Sequence, residues 1–523
     1  MQTSLRILCH AQIRPPAPDR TDAWTVGSLT RSYSETKTRG RIYTPAPLVS
    51  RILDAAGIPG PSLASTTVLD PACGDGQFLV EIVRRILDAV PDDRQLEALH
   101  RVHGWDTDAT AVAACRDRLD ALTVPFGLAV DWNVRVRNSL EALGAPPQFD
   151  VIVGNPPYVR IQHLSEADRQ LIQSRFQFCK AGSTDLYIAF FELAMSLLNP
   201  GGTVAFVTPN TYLHTITGRA LRQHLVSGRR LRQLVNFGHR QVFPNATTYA
   251  AITVAANEPE ETFNYIDASG ETETTQPVET RQLEGQAIWR FGDSLVHLDP
   301  ERYRPLREIA RIHVGLATLA DAVFIMQDAS PSGDGASDTM RVATKRFGEI
   351  EIERGLLRPV IKGSTVKRGR PCHQGAYILL PYDTTGKRPT LLPEDELATR
   401  FPLGYAYLCR ARELLDRRDN GRPNPLGWYA FGRAQALTTS FGKKIICPPM
   451  AKVPTFVVCR QPETTVYAGY VVKYEGDLDA LAAQLNSDRM QTWVQSGGRD
   501  YVGGWKGYSK TSFQDFPIDI TKL

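Results

Sequence analysis

The chain predicts an α/β fold with a doubly wound sheet and helices on both faces, and three observations carry that expectation. Between about residues 67 and 207, short apolar runs alternate with amphipathic stretches of helical period. A glycine-bearing turn, Asp70-Pro71-Ala72-Cys73-Gly74-Asp75-Gly76, joins the first run to the first amphipathic stretch, where glycines permit tight turning and close approach to a ligand. A buried-strand pattern at Phe149-Asp150-Val151-Ile152-Val153-Gly154 runs straight into Asn155-Pro156-Pro157-Tyr158, placing polar and aromatic groups at the carboxyl edge of a sheet. That edge is where open α/β folds bind ligands.

The elements follow in order. Thr67–Asp70 reads as a short buried strand, and residues 77–90 form a helix with apolar spacing at Phe78, Leu79, Ile82, Val83, Ile86 and Leu87. Val102–Asp106 is a second strand, followed by a helix near Asp108–Leu122 and strands near Val134–Val136 and Phe149–Val153. A long helix at Asp185–Leu198 leads through Asn199-Pro200-Gly201-Gly202 into a strand at Thr203–Val207. Residues 1–39, polar and with Pro15, Pro16 and Pro18, read as a loose N-terminal arm; 40–258 hold the alternating unit. Residues 259–523 form a second domain of α+β texture, in short β-like pieces with interleaved aromatics and cations. The Ser-, Gly- and Asp-rich stretch Asp328–Asp338 reads as a surface loop.

At 523 residues the chain is too long for one ordinary core, which agrees with two domains. No apolar run approaches the roughly 18–20 residues of a membrane span, and the N-terminus lacks a signal-type hydrophobic run, so a soluble, cytoplasmic protein is expected. The eight cysteines show no CxxC pair and no clustering with histidine, which predicts reduced thiols, no disulfide framework and no metal site. Net charge is +4, but residues 1–300 hold 28 Lys+Arg against 32 Asp+Glu, and residues 301–523 hold 32 against 24. A basic second half on an acidic first half points to a polyanion partner for the second.

The residues at the strand end narrow the chemistry. The Asn155 side-chain oxygen and the Pro156 carbonyl are acceptors, and proline has no N–H to compete at that spot. Two acceptors converging on one exocyclic amine take both its hydrogens, draw the nitrogen lone pair out of ring conjugation and make it nucleophilic. Tyr158 offers a face on which the ring bearing that amine can stack. A plain strand-to-loop turn punctuated by proline is the other reading of the tetrapeptide. The turn at Asp70–Phe78 lacks GxGxxG and GK[ST] spacing, and Asp106 ends the next strand, where a carboxylate can accept from ribose hydroxyls. A glycine loop with a distal acid suits a nucleoside cofactor without phosphates.

Taken in order, Gly40-Arg41-Ile42-Tyr43-Thr44-Pro45, Asp70–Phe78, Asp106, Asn155–Tyr158, Asp185-Leu186-Tyr187 and Val242-Phe243-Pro244 resemble the gamma class of S-adenosylmethionine-dependent DNA adenine-N6 methyltransferases, in particular the TaqI-like group. The specific motifs span about residues 38–257. The resemblance implies a Rossmann-like methyltransferase fold with a doubly wound mixed sheet, followed by a C-terminal α+β target-recognition domain. It implies that Thr44 meets the cofactor's methionine end, that Asp70 and the backbone of Cys73 and Gly74 line the same cavity, and that Asp106 holds the ribose. Residue 138 would meet the cofactor's adenine; the family usually carries aspartate there, whereas this chain has Asn138, a weaker acceptor without charge assistance. Phe243 would be a second aromatic wall against a flipped base, opposite or edge-on to Tyr158, and Asp185 and Tyr187 would shape the pocket floor.

The implied reaction is site-specific methyl transfer to adenine N6 in double-stranded DNA, within a restriction-modification or defence system. Base flipping is required because the amine is unreachable inside a duplex. Arg358, Lys362, Lys367, Lys443 and Lys444 are the cations assigned to phosphates in the second half. A monomer is expected, and a separate cognate restriction endonuclease and an orphan methyltransferase both stay open, since no segment is left over for a fused nuclease. The competing readings are a protein glutamine or RNA amino-methyltransferase, and a non-enzymatic DNA specificity subunit with an inactive methyltransferase core.

Overall fold

In the computed structural model, the residues described are 43–180, 184–244, 248–291, 299, 301–330, 337–369, 375–386, 388–433 and 436–523. The arm expected at 1–39, the Gly40-Arg41-Ile42 part of the first motif, and the middle of the 328–338 stretch lie outside them.

Strands β1 (Val68–Asp70), β2 (Val102–Asp106), β3 (Asn133–Val136), β4 (Phe149–Gly154), β5 (Leu198–Pro209), β6 (Leu231–Asn236), β7 (Ala250–Ala256), β8 (Thr262–Asp267) and β9 (Thr274–Glu279) form one nine-stranded sheet. Its order is β3-β2-β1-β4-β5-β7-β6-β8-β9. Strands β3, β2, β1, β4 and β5 are mutually parallel, β7 runs antiparallel to both β5 and β6, and β9 is antiparallel to β8. The strand order reverses between β1 and β4, so the carboxyl ends of these two strands flank the switch point where an open α/β sheet leaves a crevice. This is the Rossmann-like doubly wound mixed sheet expected from the sequence.

Period-two side-chain direction divides each central strand between two cores. Val68, Val151, Val153, Ala205 and Val207 pack with helices α1 (Ala46–Ala55), α2 (Gln77–Ala89), α3 (Asp92–His100) and α4 (Ala109–Thr123). Leu69, Ile152, Val204 and Phe206 pack on the other face with α5 (Glu166–Arg175), α6 (Tyr187–Leu197) and α7 (Arg219–Ser227). Both faces of β1 and β4 are therefore sealed, and the polar ends of these strands are the groups left at the rim. Asp108 caps α4 by accepting from the Thr110 and Ala111 N–H groups, which fixes the helix start just after Asp106.

Three expectations are corrected. The sheet passes the boundary drawn at 258: β8 bonds in parallel to β6, β9 bonds to β8, and Trp289 and Phe291 complete the same core. The strand expected from Thr203 begins at Leu198, because Leu198 pairs with Phe149 before an irregularity that absorbs the Asn-Pro-Gly-Gly stretch. Asp185 lies outside the helix, paired across a bridge with Arg160, and α6 starts at Tyr187.

The second half carries smaller sheets. A six-stranded one includes Leu357–Lys362, and a four-stranded one includes Lys444–Cys447 and Tyr470–Lys473. Pro517–Asp519 returns to pair with Tyr303–Pro305, closing the chain on itself. Arg290 donates to the carbonyls of Trp493 and Ser512 at 2.5 and 2.6 Å, joining the end of the first half to the last segment. Among the described residues, no helix is long and apolar enough to cross a membrane.

Candidate active site at the carboxyl edge

The chain after β4 carries Asn155, and the Asn155 amide is oriented from outside its own strand. Its Nδ2 donates to Thr44 Oγ1 at 3.0 Å, and Thr44 is buried. Fixing the donor end settles which way the acceptor oxygen faces, since the two ends of a carboxamide point apart. Pro156 follows as a buried residue.

Tyr158 is half-buried and held at three points. Its hydroxyl donates to the Val207 carbonyl at 3.1 Å. Its ring meets Tyr187 edge-on at 6.3 Å and Phe243 edge-on at 6.2 Å. Burial pushes the phenol well above its ordinary value, so it stays a neutral donor. Phe243 is wholly buried in the core shared with α1 and α2; its ring stands at 71° to that of Tyr158 and presents no face to solvent. Tyr187 Oη lies 3.3 Å from Thr211 Oγ1.

On the other side of the switch point, Asp70 closes β1. It is 1% exposed, and burial pushes its carboxyl up to about 8, against the lowering effect of the Ala72 N–H, which donates to Oδ1 at 3.0 Å; the nearby Asp106 carboxylate adds to the rise. The sequence reading missed what makes room for this group: a Cβ at Gly154 would lie 2.7 Å from Asp70 Oδ1, so only glycine fits immediately before Asn155. The adjacency of Gly154 to the tetrapeptide was the available signal.

Asp106 accepts from the Gly74 N–H at Oδ2 and from the Asp108 N–H at Oδ1, both at 2.9 Å, so it ties the glycine turn to the end of β2. Gly74 is left-handed at φ +53, with open space where a side chain would stand. Cys73 donates its N–H to the Trp105 carbonyl at 3.0 Å. A hydrogen bond with the Cys115 thiol, together with burial, pushes the Cys73 thiol far above its ordinary range, so it stays protonated. Asn138 caps a short 3₁₀ turn, with Oδ1 accepting from Leu140 N–H at 3.2 Å and Nδ2 directed to Glu141. The oxygen expected to meet an adenine is thus already engaged with its own backbone.

The structure brings Thr44 and Asn155 into contact, and likewise Gly74 and Asp106, and Tyr158 and Phe243. The distal cations separate into different environments. Lys367 and Lys443 are exposed and Lys362 half-exposed. Arg358 donates to the Gly355 and Leu357 carbonyls and lies 3.7 Å from Glu463. Lys444 is a correction: it is fully buried, with its ammonium donating to the Ser440 carbonyl at 2.6 Å and to that of Thr464, so it faces no phosphate.

Comparison with known proteins agrees with this architecture. Residues 112–243 match the family model described as Eco57I restriction-modification methylase. The chain is 23% identical over 449 residues to the type II restriction enzyme and methyltransferase RM.Eco57I of Escherichia coli, covering 70% of this chain and 44% of that protein. It is 23% identical over 504 residues to the type II methyltransferase M.PaeR7I of Pseudomonas aeruginosa, covering 89% and 83%. Among solved structures, the type IIL restriction-modification enzyme MmeI in complex with DNA superposes with a TM-score of 0.56 at 14% identity, covering 90% of this chain and 64% of that one. The chain thus spans under half the length of RM.Eco57I and most of M.PaeR7I, and it is related to restriction-modification DNA methyltransferases.

Proposed function

We propose that this relative of restriction-modification methylases transfers a methyl group from S-adenosylmethionine to the N6 amine of an adenine turned out of double-stranded DNA. The observation that carries the reading is the Asn155-Pro156-Pro157-Tyr158 group at the end of β4, with its amide set by Thr44 and its aromatic ring pinned to Val207. It lies across the switch point from Asp70 and the glycine turn.

The residues on the β1–β2 side fit a nucleoside cofactor. The space beside Gly74 is open and the turn is braced by Asp106. Thr44, Asp70, Cys73, Gly74 and Asp106 would hold it, with Asn138 at the far end of the same edge. When bound, S-adenosylmethionine supplies an electrophilic methyl on a sulfonium.

The chain's own part is positioning and electronic preparation of the amine. Asn155 Oδ1 and the Pro156 carbonyl accept its two hydrogens, which localises the lone pair on nitrogen. Tyr158 stacks on the purine and offsets part of the few kcal/mol that extrusion costs. Phe243 acts from behind, holding the Tyr158 ring at the angle the purine meets. No thiol attack enters, and the Cys73 thiol, its ionisation pushed up by the Cys115 hydrogen bond and by burial, stays protonated.

Incubating the protein with methyl-labelled cofactor and unmethylated plasmid, RNA or a protein mixture tests the reading. Label should enter DNA alone, nucleoside digestion should return N6-methyladenine, and Asn155→Ala should abolish transfer while cofactor still binds. Label in cytosine, RNA or protein, or an active Asn155→Ala variant, contradicts it.

A further inference from the structure

In the second half, far in sequence from the β4 edge, a cavity of about 510 Å³ opens between the Thr318–Asp321 turn and the segment 412–433. Its walls are unusual in two ways. Arg412, Arg418, Arg422 and Arg433 line it against Asp416 and Asp419, so cations outnumber acids. Leu319 and Asp419, with Asn420 adjoining, hold left-handed backbone at φ 54, 50 and 61, a conformation costly above all for leucine and retained where the surroundings enforce it.

Those surroundings are rigid. Arg418 donates to the carbonyls of Leu415, Ala430 and Trp428 at 2.7–2.8 Å, so it is a brace rather than a ligand group. Gly432 donates its N–H to Thr318, and a Cβ there would lie 2.4 Å from the Leu319 side chain, so glycine is what lets Leu319 stand at the rim. Arg412 is placed over the Trp428 ring at 4.8 Å and within 3.7 Å of Asp416. Arg433 is exposed, with its guanidinium donating to the Gly432 carbonyl at 3.0 Å and lying 3.4 Å from Asp419. Arg422 is exposed, and among the described residues its side chain makes no hydrogen bond or ion pair. Leu319 and Leu426 form an apolar lip, 45% and 57% exposed.

We propose that this cavity clamps a DNA backbone phosphate, with Arg422 and Arg433 as its donors and Leu319 and Leu426 packing on the adjoining sugar. The inference rests on DNA being the substrate, and it names where the basic half takes hold. A concave, rigid, cation-rich site suits the projecting phosphodiester strand, whereas reading base edges calls for side chains that protrude into a groove. Guanidinium donors match phosphate geometry, and Arg422 can turn to it without breaking an internal bond.

Equilibrium binding to a labelled duplex across a salt series tests this. Arg422→Ala and Arg433→Ala should each lower the slope of log affinity against log salt, and the two together by about 0.9, the share of one neutralised phosphate, which means that roughly 3.5-fold less affinity is lost between about 50 and 200 mM salt. The methylated sequence in genomic DNA should be unchanged, and Arg422→Lys should restore most of the slope. Wild-type slopes in both alanine variants, or a relaxed target sequence at unchanged slope, overturn the clamp while leaving methyl transfer standing. A wild-type protein that neither binds nor methylates duplex DNA overturns both.

Discussion

Asp70→Asn should remove a steep pH dependence from the stability of the first half. The wild-type carboxyl is buried and raised to about 8 in the folded chain, against 3.8 for the unperturbed group. A raised folded value means that the native state holds this proton more tightly than the unfolded chain does. The resulting stability is fully present below the unfolded value and is lost as pH rises through the folded one. Between those values the loss runs at about 1.4 kcal/mol per pH unit, so wild-type stability relative to Asp70→Asn should fall by about 4 kcal/mol from pH 5 to pH 9 and flatten beyond. Asparagine keeps the shape and the acceptor for Ala72 N–H, so the difference isolates the titration. Urea unfolding at pH 5, 7 and 9, followed through the unfolding of the first half, measures it. Parallel curves for the two proteins would refute the claim that this carboxyl is buried and protonated at neutral pH.

Other substitutions test neighbouring steps. Gly154→Ala drives a methyl to 2.7 Å from Asp70 Oδ1 and should cost about 1–3 kcal/mol; the same change in an Asp70→Ala background should cost less, and equal costs in the two melting series would show that the crowding is elsewhere. Tyr158→Phe removes only the bond to Val207 and should lower stability by about 1 kcal/mol with methyl transfer nearly intact. By contrast, Tyr158→Ala forfeits stacking worth about 1–3 kcal/mol, roughly 5- to 150-fold in kcat/KM; indistinguishable kinetics for the two would remove the ring from base capture. Lys444→Met strands the Ser440 and Thr464 carbonyls and should destabilise by about 1–3 kcal/mol. Its folded fraction should keep the wild-type salt slope in DNA binding, and a reduced slope would return Lys444 to the phosphate contacts.

The β1–β5 core and the tetrapeptide after β4 were readable because their signals are local: apolar runs of strand length, helical spacing between them, and a polar, proline-bearing sequence directly after a buried strand. The last two strands of the sheet, β8 and β9, were not, since Thr262–Asp267 and Thr274–Glu279 are short, largely polar on one face, and joined without a helix. Lys444 misled because a cation looks the same in sequence whether water or two carbonyls solvate it. Asn138 carried its signal openly, an asparagine three residues before Glu141 at the start of a turn, which is a capping pattern. The bond between Thr44 and Asn155 joins residues 111 apart, a distance over which only the assembled sheet decides what meets.

Three chain segments converge on one tyrosine: Val207 anchors its tip, and the rings of Tyr187 and Phe243 stand at steep angles to its own. A planar guest arriving there meets a surface whose rotamer is already chosen, so little side-chain freedom is left to freeze on contact. Residence time at such a platform is governed by what the guest itself loses, and an already unpaired or mismatched nucleotide, with least to lose, should linger longest.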